Sequence, residues 1–227
     1  MLRVFAVTLA LLCAPSVAVA VEPDWPAIAT ETFRVSLPGP RPGETRDVYY
    51  WRPENTQGVL PALYLADGLP ALKLAVAQLR AEIVAGRVQP ILVVALEASE
   101  QPLRFKEYVF GRGDNPEWTM HFNWFVNTVL PWAERNIGAT PSAAERGVGG
   151  VSNGADFAIA AATRRPDLFT AVLAHSPVNE VSADFRGPAT IRWALTVGRD
   201  EFDGVAAPLQ DRIVNQIDPA RSEERRV

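Results

Sequence analysis

The chain has 227 residues, of which 48% are hydrophobic and 21% are charged, and its formal net charge is −4. This length and composition predict one globular domain with a substantial core and exclude an intrinsically disordered chain. The acidic balance argues against nucleic acid as the main partner and against a polybasic membrane anchor.

The first twenty residues have the pattern of a secretory signal peptide. Arg3 supplies a positive charge, residues 4–14 form an apolar stretch too short to span a bilayer, and residues 18–20 match an A-x-A cleavage site. We therefore expect residues 1–20 to be removed and residues 21–227 to form the mature domain. The protein would be exported, periplasmic or secreted, with no membrane anchor after cleavage.

Neither thiol nor metal chemistry is indicated by the sequence. The single cysteine, Cys13, lies inside the predicted signal peptide, so the mature chain would have no thiolate. The two histidines, His121 and His175, are not clustered with other ligand residues. We therefore expect neither a metal nor another cofactor.

Strand and helix patterns alternate along the chain. Apolar runs without polar alternation favour strands that are buried on both faces. Helical spacing from Leu72 to Ile83, and again from Phe122 to Val129, predicts two helices, the second kinked by Pro131. This order predicts an α/β fold with a mostly parallel sheet flanked by helices. The predicted strands are residues 30–37, 47–51, 59–66, 90–96, 146–151, 169–174 and 191–197.

Gly150, Ser152 and Gly154 form the pattern G-x-S-x-G between an apolar strand and a helix of small residues. This is the nucleophile-elbow pattern, in which a serine occupies a sharp, strained strand-to-helix turn. Side chains two residues before or after the serine would clash, so glycine is expected at both places. The alternative is a glycine-rich turn with an incidental serine. The strand before and the helix after favour the catalytic interpretation.

Polar or turn residues follow four of the predicted strands. They are residues 67–69, Ser152, His175 and Glu201. In parallel sheets, ligand sites form at the carboxyl ends of the strands. We therefore expect these four elements to converge at one edge of the sheet.

Several motifs between about residues 63 and 202 occur together in one family. They are Leu63-Tyr64-Leu65-Ala66-Asp67-Gly68-Leu69, Arg104-x-x-Glu107-Tyr108, Leu130-Pro131-Trp132, Gly150-Val151-Ser152-Asn153-Gly154, Arg165-Pro166-Asp167-Leu168-Phe169 and Ser176-Pro177. Together they resemble the putative-esterase family of α/β-hydrolases, which includes enterochelin esterases, esterase D and mycolyl transferases. The resemblance implies an α/β-hydrolase fold and a serine esterase that acts on a small-molecule ester without a cofactor.

The resemblance also implies a role for individual positions. Ser152 would be the nucleophile, and the backbone N–H groups of Leu69 and Asn153 would form the oxyanion hole. Glu201 occupies the family's usual position for the acid, and Asp200 is the alternative. All of these positions follow predicted strands.

Two groups of side chains near the predicted site allow alternative interpretations. Arg104 and Glu107 are interpreted as an ion pair that braces the loop beside the site, with substrate contact as the alternative. Four aromatic residues could line a pocket for an aromatic ester or belong to the core. They are Tyr108, Trp118, Phe122 and Trp124.

The sequence departs from the family pattern after the acid. The chain order requires a histidine there, but none occurs between Glu201 and Val227. We therefore expect the last strand and its histidine-bearing loop to be missing. His175 is either a substitute base or, preferably, a strand-end residue packed under the site. His121 is expected at the surface or lining a pocket.

Three functional alternatives follow. The first is an exported serine carboxylic-ester hydrolase that forms an acyl-enzyme. The second is a catalytically impaired or non-catalytic protein of the same fold, and the third is an acyltransferase of the mycolyl-transferase type. The sequence specifies neither the ester nor the oligomeric state.

Overall fold

The computed structural model describes residues 31–111, 115–178 and 190–196. Within them, seven strands form one sheet in the order β1-β2-β4-β3-β5-β6-β7. The strands are β1 (Phe33–Pro38), β2 (Thr45–Trp51), β3 (Ala62–Leu65), β4 (Leu92–Leu96), β5 (Arg146–Val151), β6 (Ala171–His175) and β7 (Arg192–Thr196). The α-helices are α1 (Gly68–Val84), α2 (Leu103–Tyr108), α3 (Pro116–Trp124), α4 (Leu130–Asn136) and α5 (Asn153–Arg164).

The predicted mostly parallel sheet is confirmed, with all seven predicted strands present, six of them at shifted bounds and β5 at the predicted bounds. Strands β3 to β7 are parallel to one another, whereas β2 is antiparallel to both β1 and β4. A connection as short as that between β1 and β2 can join only antiparallel strands. It is closed by Gly39 N–H, which donates to Glu44 O at 2.8 Å.

The central strands β3 and β4 are buried on both faces of the sheet, which explains why they are apolar. Tyr64 of β3 packs on one face, with its ring centroid 5.4 Å from that of Phe125. Its neighbours Leu63 and Leu65 belong to the cluster on the other face, together with residues of α1 such as Leu72. Because successive side chains of a strand point to opposite faces, burial of both faces removes the polar alternation.

A π-helical turn, Phe125–Val129, joins α3 to α4. The sequence predicts a kink in this helix at Pro131, and the observed irregularity is the π-helical turn just before that residue. Pro131 is the second residue of α4, where a missing N–H group costs little. The glycines expected to end two helices, Gly86 and Gly138, have φ angles of 68° and 71°, the left-handed conformation typical of a residue just beyond a helix.

Helix α2 was not predicted. Its six residues make fewer than two turns, too few for the 3.6-residue period to appear in the sequence. The helix nevertheless has two fully buried side chains, Glu107 and Tyr108. Both contribute to the candidate site.

Several predictions lie outside the described residues. These are the signal peptide, the acid at Glu201 or Asp200, and the missing final strand. Among the residues that the structure describes, none of the helices combines the length and apolar character needed to cross a bilayer.

Candidate active site

Ser152 lies at a sharp turn between β5 and α5. Its φ and ψ angles are 55° and −127°, outside the regions that a residue with a side chain favours. Its N–H group donates to His175 O at 2.9 Å, which extends the pairing of β5 with β6. The turn is therefore held by the sheet itself.

Close packing requires the glycines on both sides of Ser152. A Cβ atom at Gly150 would lie 2.4 Å from the carbonyl carbon and oxygen of Gly154. A Cβ atom at Gly154 would lie 2.6 Å from Asp67 Oδ2 and 2.9 Å from Ala66 Cβ. These separations are far below van der Waals contact, so the predicted clash at both positions is confirmed.

The two predicted oxyanion donors lie at neighbouring helix N-termini. Asn153 is the first residue of α5, and Leu69 is the second residue of α1. The first N–H groups of a helix have no carbonyl four residues earlier to bind, and they face the positive end of the helix. Strands β3 and β5 are adjacent and parallel, with Leu65 opposite Gly149. The arrangement suits an anionic oxygen held between the two helix ends.

The loop before Leu69 is held by polar side chains. Asp67 has a φ angle of 70°, and its N–H group donates to Tyr108 Oη at 2.8 Å. Arg104 Nε donates to Asp67 Oδ1 at 2.7 Å. The predicted ion pair of Arg104 with Glu107 is therefore wrong, because Arg104 pairs with Asp67 instead. Arg104 lies four residues before Tyr108, which is about one helical turn. This spacing was the signal in the sequence that both side chains could reach the same loop.

Glu107 belongs to a different, buried ion cluster. It accepts hydrogen bonds from Arg46 Nη1 and Nη2 at 3.1 and 3.0 Å, from Arg41 Nη1 at 3.1 Å and from Ser99 N at 2.9 Å. Burial alone would raise its pKa, but these bonds and the nearby positive charges lower the pKa of Glu107 to about 2. The cluster ties α2 to β2 and to the end of β4.

The two histidines occupy opposite environments. His121 is fully buried, so its predicted place at the surface or in a pocket is wrong. Burial lowers the pKa of His121 to about 4, and its ring lies among those of Tyr108, Trp124 and Phe157 at centroid distances of 5.1–5.4 Å. His175 was expected to be packed under the site but is exposed at the carboxyl end of β6.

His175 lies at the same sheet edge as Ser152 and residues 67–69, because each directly follows or ends a parallel strand. Its Nδ1 atom is 2.5 Å from Thr196 Oγ1 at the end of β7. The predicted convergence is confirmed for these three elements. The fourth element, Glu201, lies outside the described residues.

The aromatic residues of α2 and α3 form core rather than a pocket. Tyr108, Trp118, Phe122 and Trp124 are between 0% and 8% exposed. The rings of Tyr108, Trp118 and Phe122 lie against Phe157 of α5. Their helical spacing reflects packing in the core against α5, so the hypothesis of an aromatic pocket is wrong for these residues.

A family model described as "Putative esterase" matches residues 34–215. The chain belongs to the putative esterase family. The resemblance found in the sequence motifs is therefore confirmed. No curated protein sequence matches the chain.

Solved structures of esterases share the fold of this family member. The enterochelin esterase of Shigella flexneri has a TM-score of 0.64 and 18% identity over 83% of this chain and 50% of its own. A CE1 ferulic acid esterase from Anaeromyces mucronatus has a TM-score of 0.62 and 14% identity, covering 82% and 79%. Another ferulic acid esterase has a TM-score of 0.55 and 21% identity, covering 66% and 61%. The chain thus spans less than two thirds of the first and last of these structures.

Proposed function

We propose that this member of the esterase family is an exported serine carboxylic-ester hydrolase that acts through an acyl-enzyme at Ser152. The observation that carries the proposal is the position of Ser152 at a strained turn, beside the N-termini of α1 and α5. A nucleophile and two oxyanion donors are what acyl transfer requires at one place.

The first step is attack of Ser152 Oγ on the ester carbonyl carbon. The carbonyl oxygen gains negative charge and accepts hydrogen bonds from the N–H groups of Leu69 and Asn153. The base that takes the Ser152 hydroxyl proton during the attack gives it to the alcohol as this intermediate collapses. The bond to the alcohol breaks, and the acyl group stays on Ser152. Water then attacks the acyl carbon and releases the acid. Glu201, or alternatively Asp200, would orient the base that moves these protons.

The proposed substrate is a small-molecule ester. Solved structures that share this fold include an enterobactin esterase with 2,3-dihydroxy-N-benzoyl-serine and a ferulic acid esterase with ferulic acid. Both compounds contain an aromatic ring and a carboxyl group. An aromatic acyl ester is therefore the first class of substrate to assay.

Covalent labelling tests the assignment of the nucleophile. A fluorophosphonate probe should label the wild-type protein, and p-nitrophenyl acetate should be hydrolysed. Ser152→Ala should abolish both reactions, whereas Ser142→Ala, an exposed serine in the loop that leads to β5, should change neither. Equal labelling of wild type and Ser152→Ala would overturn the proposal.

A catalytically impaired protein of the same fold is the second candidate. The observation that favours it is that both histidines, His121 and His175, precede Glu201 in the sequence. His121 is enclosed in the core, so His175 is the one of the two that solvent reaches. A folded wild-type protein without labelling would support this candidate. Labelling that His175→Asn abolishes would instead identify His175 as the base.

Export is supported by the pattern of residues 1–20. A charged start, a short apolar stretch and an A-x-A site are typical of a cleaved signal peptide. Expression of the full chain in a Gram-negative host should yield periplasmic protein whose N-terminal residue is Val21. Cytoplasmic protein that retains residues 1–20 would contradict export while leaving the esterase proposal intact.

A further inference from the structure

We propose that Tyr108 is a positioning residue for the oxyanion hole: its hydroxyl group fixes the loop that presents the Leu69 amide to the substrate. This inference rests on the proposed function for its catalytic consequence. The placement of the loop by Tyr108 can be tested separately.

The first step concerns the backbone of Asp67. Its φ angle of 70° is unfavourable for a residue with a side chain. Such a conformation persists only where the surroundings determine it strongly. Asp67 is the residue just before α1, so its conformation sets the direction in which the helix and the Leu69 N–H group leave β3.

The second step concerns what holds Asp67. Its N–H group donates to Tyr108 Oη at 2.8 Å, and its carboxylate accepts from Arg104 Nε at 2.7 Å. Both partners are on α2, one helical turn apart. Tyr108 is completely buried, so no water can readily replace its hydroxyl group as an acceptor for the Asp67 N–H group.

The third step concerns what holds Tyr108. The adjacent residue, Glu107, fixes α2 to the sheet through its hydrogen bonds with Arg46 and Ser99. The Tyr108 ring packs against Phe157 of α5 with centroids 5.5 Å apart. Because Asn153 begins α5, one side chain contacts both the helix of one proposed donor and the loop of the other. Tyr108 therefore acts as a spacer between the two halves of the oxyanion hole.

The expected catalytic signature is a loss of kcat with little change in KM. An oxyanion donor acts on the charge that develops in the transition state, so its displacement affects the chemical step. A misplacement of about 1 Å costs up to about 10²-fold in rate. Tyr108→Phe keeps the ring and removes only the hydroxyl group. We expect kcat for a p-nitrophenyl ester to fall about 10- to 100-fold.

Tyr64 provides a matched control. It is fully buried in β3, the strand that leads to Asp67. Among the described residues, its hydroxyl group has no hydrogen-bond partner. Tyr64→Phe is therefore the same chemical change in the same core, and it should leave kcat and KM unchanged. Equal kcat values for Tyr108→Phe and the wild type would overturn the catalytic part of the inference.

Amide hydrogen exchange measured by NMR tests the placement of the loop without any turnover. The Asp67 amide should exchange at least about tenfold faster in Tyr108→Phe, because its acceptor is lost, and at the wild-type rate in Tyr64→Phe. Unchanged exchange at Asp67 in Tyr108→Phe overturns the inference, even in a protein without esterase activity. Absence of wild-type turnover would instead count against the proposed function alone.

Arg104 provides a second variant in case Tyr108→Phe does not fold. Its side chain is only partly buried, and Arg104→Gln removes the charged tether on the Asp67 carboxylate. The same signature should appear at smaller size, with faster exchange at Asp67 and a severalfold lower kcat. Wild-type exchange at Asp67 in this variant would contradict the assignment of α2 as the support of the loop.

Discussion

The two halves of the candidate site show the same backbone feature held by different interactions. Ser152 and Asp67 each follow a parallel strand, each precede a helix, and each have a positive φ angle, 55° and 70°. At Ser152 the turn is held by the backbone hydrogen bond to His175 O and by close packing that leaves no room for a Cβ atom at Gly150 or Gly154. At Asp67 it is held by polar groups of α2.

This difference predicts which changes each half tolerates. The turn at Ser152 should be sensitive to side-chain volume and insensitive to charge. The loop at Asp67 should be sensitive to the loss of the buried hydrogen bonds and charges that position α2, including their loss by titration, and less sensitive to the loss of the partly exposed Asp67 charge. The following four predictions test this contrast, from the largest expected effect to the smallest.

Breaking the buried ion cluster should have the largest effect. Glu107→Gln leaves Arg46, which is 5% exposed, with a weaker partner. Removing one member of a buried ion pair typically costs about 3–5 kcal/mol. Urea unfolding should show this loss. The double variant Glu107→Gln/Arg46→Met should be less destabilised than the single variant, because the buried Arg46 charge is removed together with its main buried partner, while Glu44 keeps its ion pair with Arg41.

Glu82→Gln is the matched control for that prediction. Glu82 pairs with Arg87 at the surface of the protein, where ion pairs contribute little. The urea midpoint of Glu82→Gln should equal that of the wild type. Equal midpoints for Glu107→Gln and Glu82→Gln would show that the polar half of the site does not depend on this cluster.

Titration of His121 should destabilise the protein in mild acid. Burial lowers the pKa of His121 to about 4 from 6.5, despite the opposing charge of Glu107. The unfolded chain therefore binds the proton at higher pH than the folded chain does. The free energy of unfolding should fall as pH decreases from about 6.5 to 4, by about 2–3 kcal/mol. Glu107 stays ionised over this range, since its pKa is about 2.

The measurement is urea unfolding at several pH values. His121→Phe keeps an aromatic ring beside Tyr108 and Trp124 and should remove this part of the pH dependence. His175→Asn replaces the exposed histidine and should leave this part of the pH dependence unchanged. The prediction would be contradicted if the free energy of unfolding changed with pH in the same way in the wild type and in His121→Phe.

Adding one methyl group at the elbow should be damaging. Gly150→Ala places a Cβ atom 2.4 Å from the backbone of Gly154, and overpacking of this kind typically costs about 1–3 kcal/mol. Labelling of Ser152 should also be lost, because the start of α5 must shift. Gly147→Ala, on the same strand, meets its nearest atom at 3.4 Å and should retain labelling. Loss of labelling in both variants would show that the elbow is no more sensitive to added side-chain volume than the rest of the strand.

Asp67→Asn should have the smallest effect. Asparagine tolerates the left-handed conformation and retains an oxygen that accepts from Arg104 Nε. The change removes only the charge of a partly exposed pair, so the loss in the free energy of unfolding should be below about 1 kcal/mol. Asp67→Val, which is similar in size but β-branched and apolar, should be clearly less stable than Asp67→Asn in the same assay.

Sequence reasoning recovered the features that depend on neighbouring residues. The elbow was predictable because the strain at Ser152 must be relieved by glycines two positions away. The central strands β3 and β4 were predictable because each is an uninterrupted apolar run. The carboxyl ends of the strands then placed residues 67–69 beside Ser152, since the ends of parallel strands share one edge.

The missed features depend on contacts between distant parts of the chain. Arg104 pairs with Asp67, and Glu107 pairs with Arg46 on β2. In the sequence, Arg104 and Glu107 are a plausible pair because they are three positions apart. The partner of each residue depends on how α2 packs on the sheet. A six-residue helix is too short for a 3.6-residue hydrophobic pattern that would indicate its orientation.

The neighbouring positions of β3 and β5 have a consequence for folding. Leu65 lies opposite Gly149, although α1, β4, α2, α3 and α4 all come between them in the chain. Pairing of strands so distant in sequence is a slow event, because the intervening loop must close first. We therefore expect the two helix N-termini to meet late in folding. The rate at which Ser152 becomes reactive towards a covalent probe during refolding would then report on the late stages of folding.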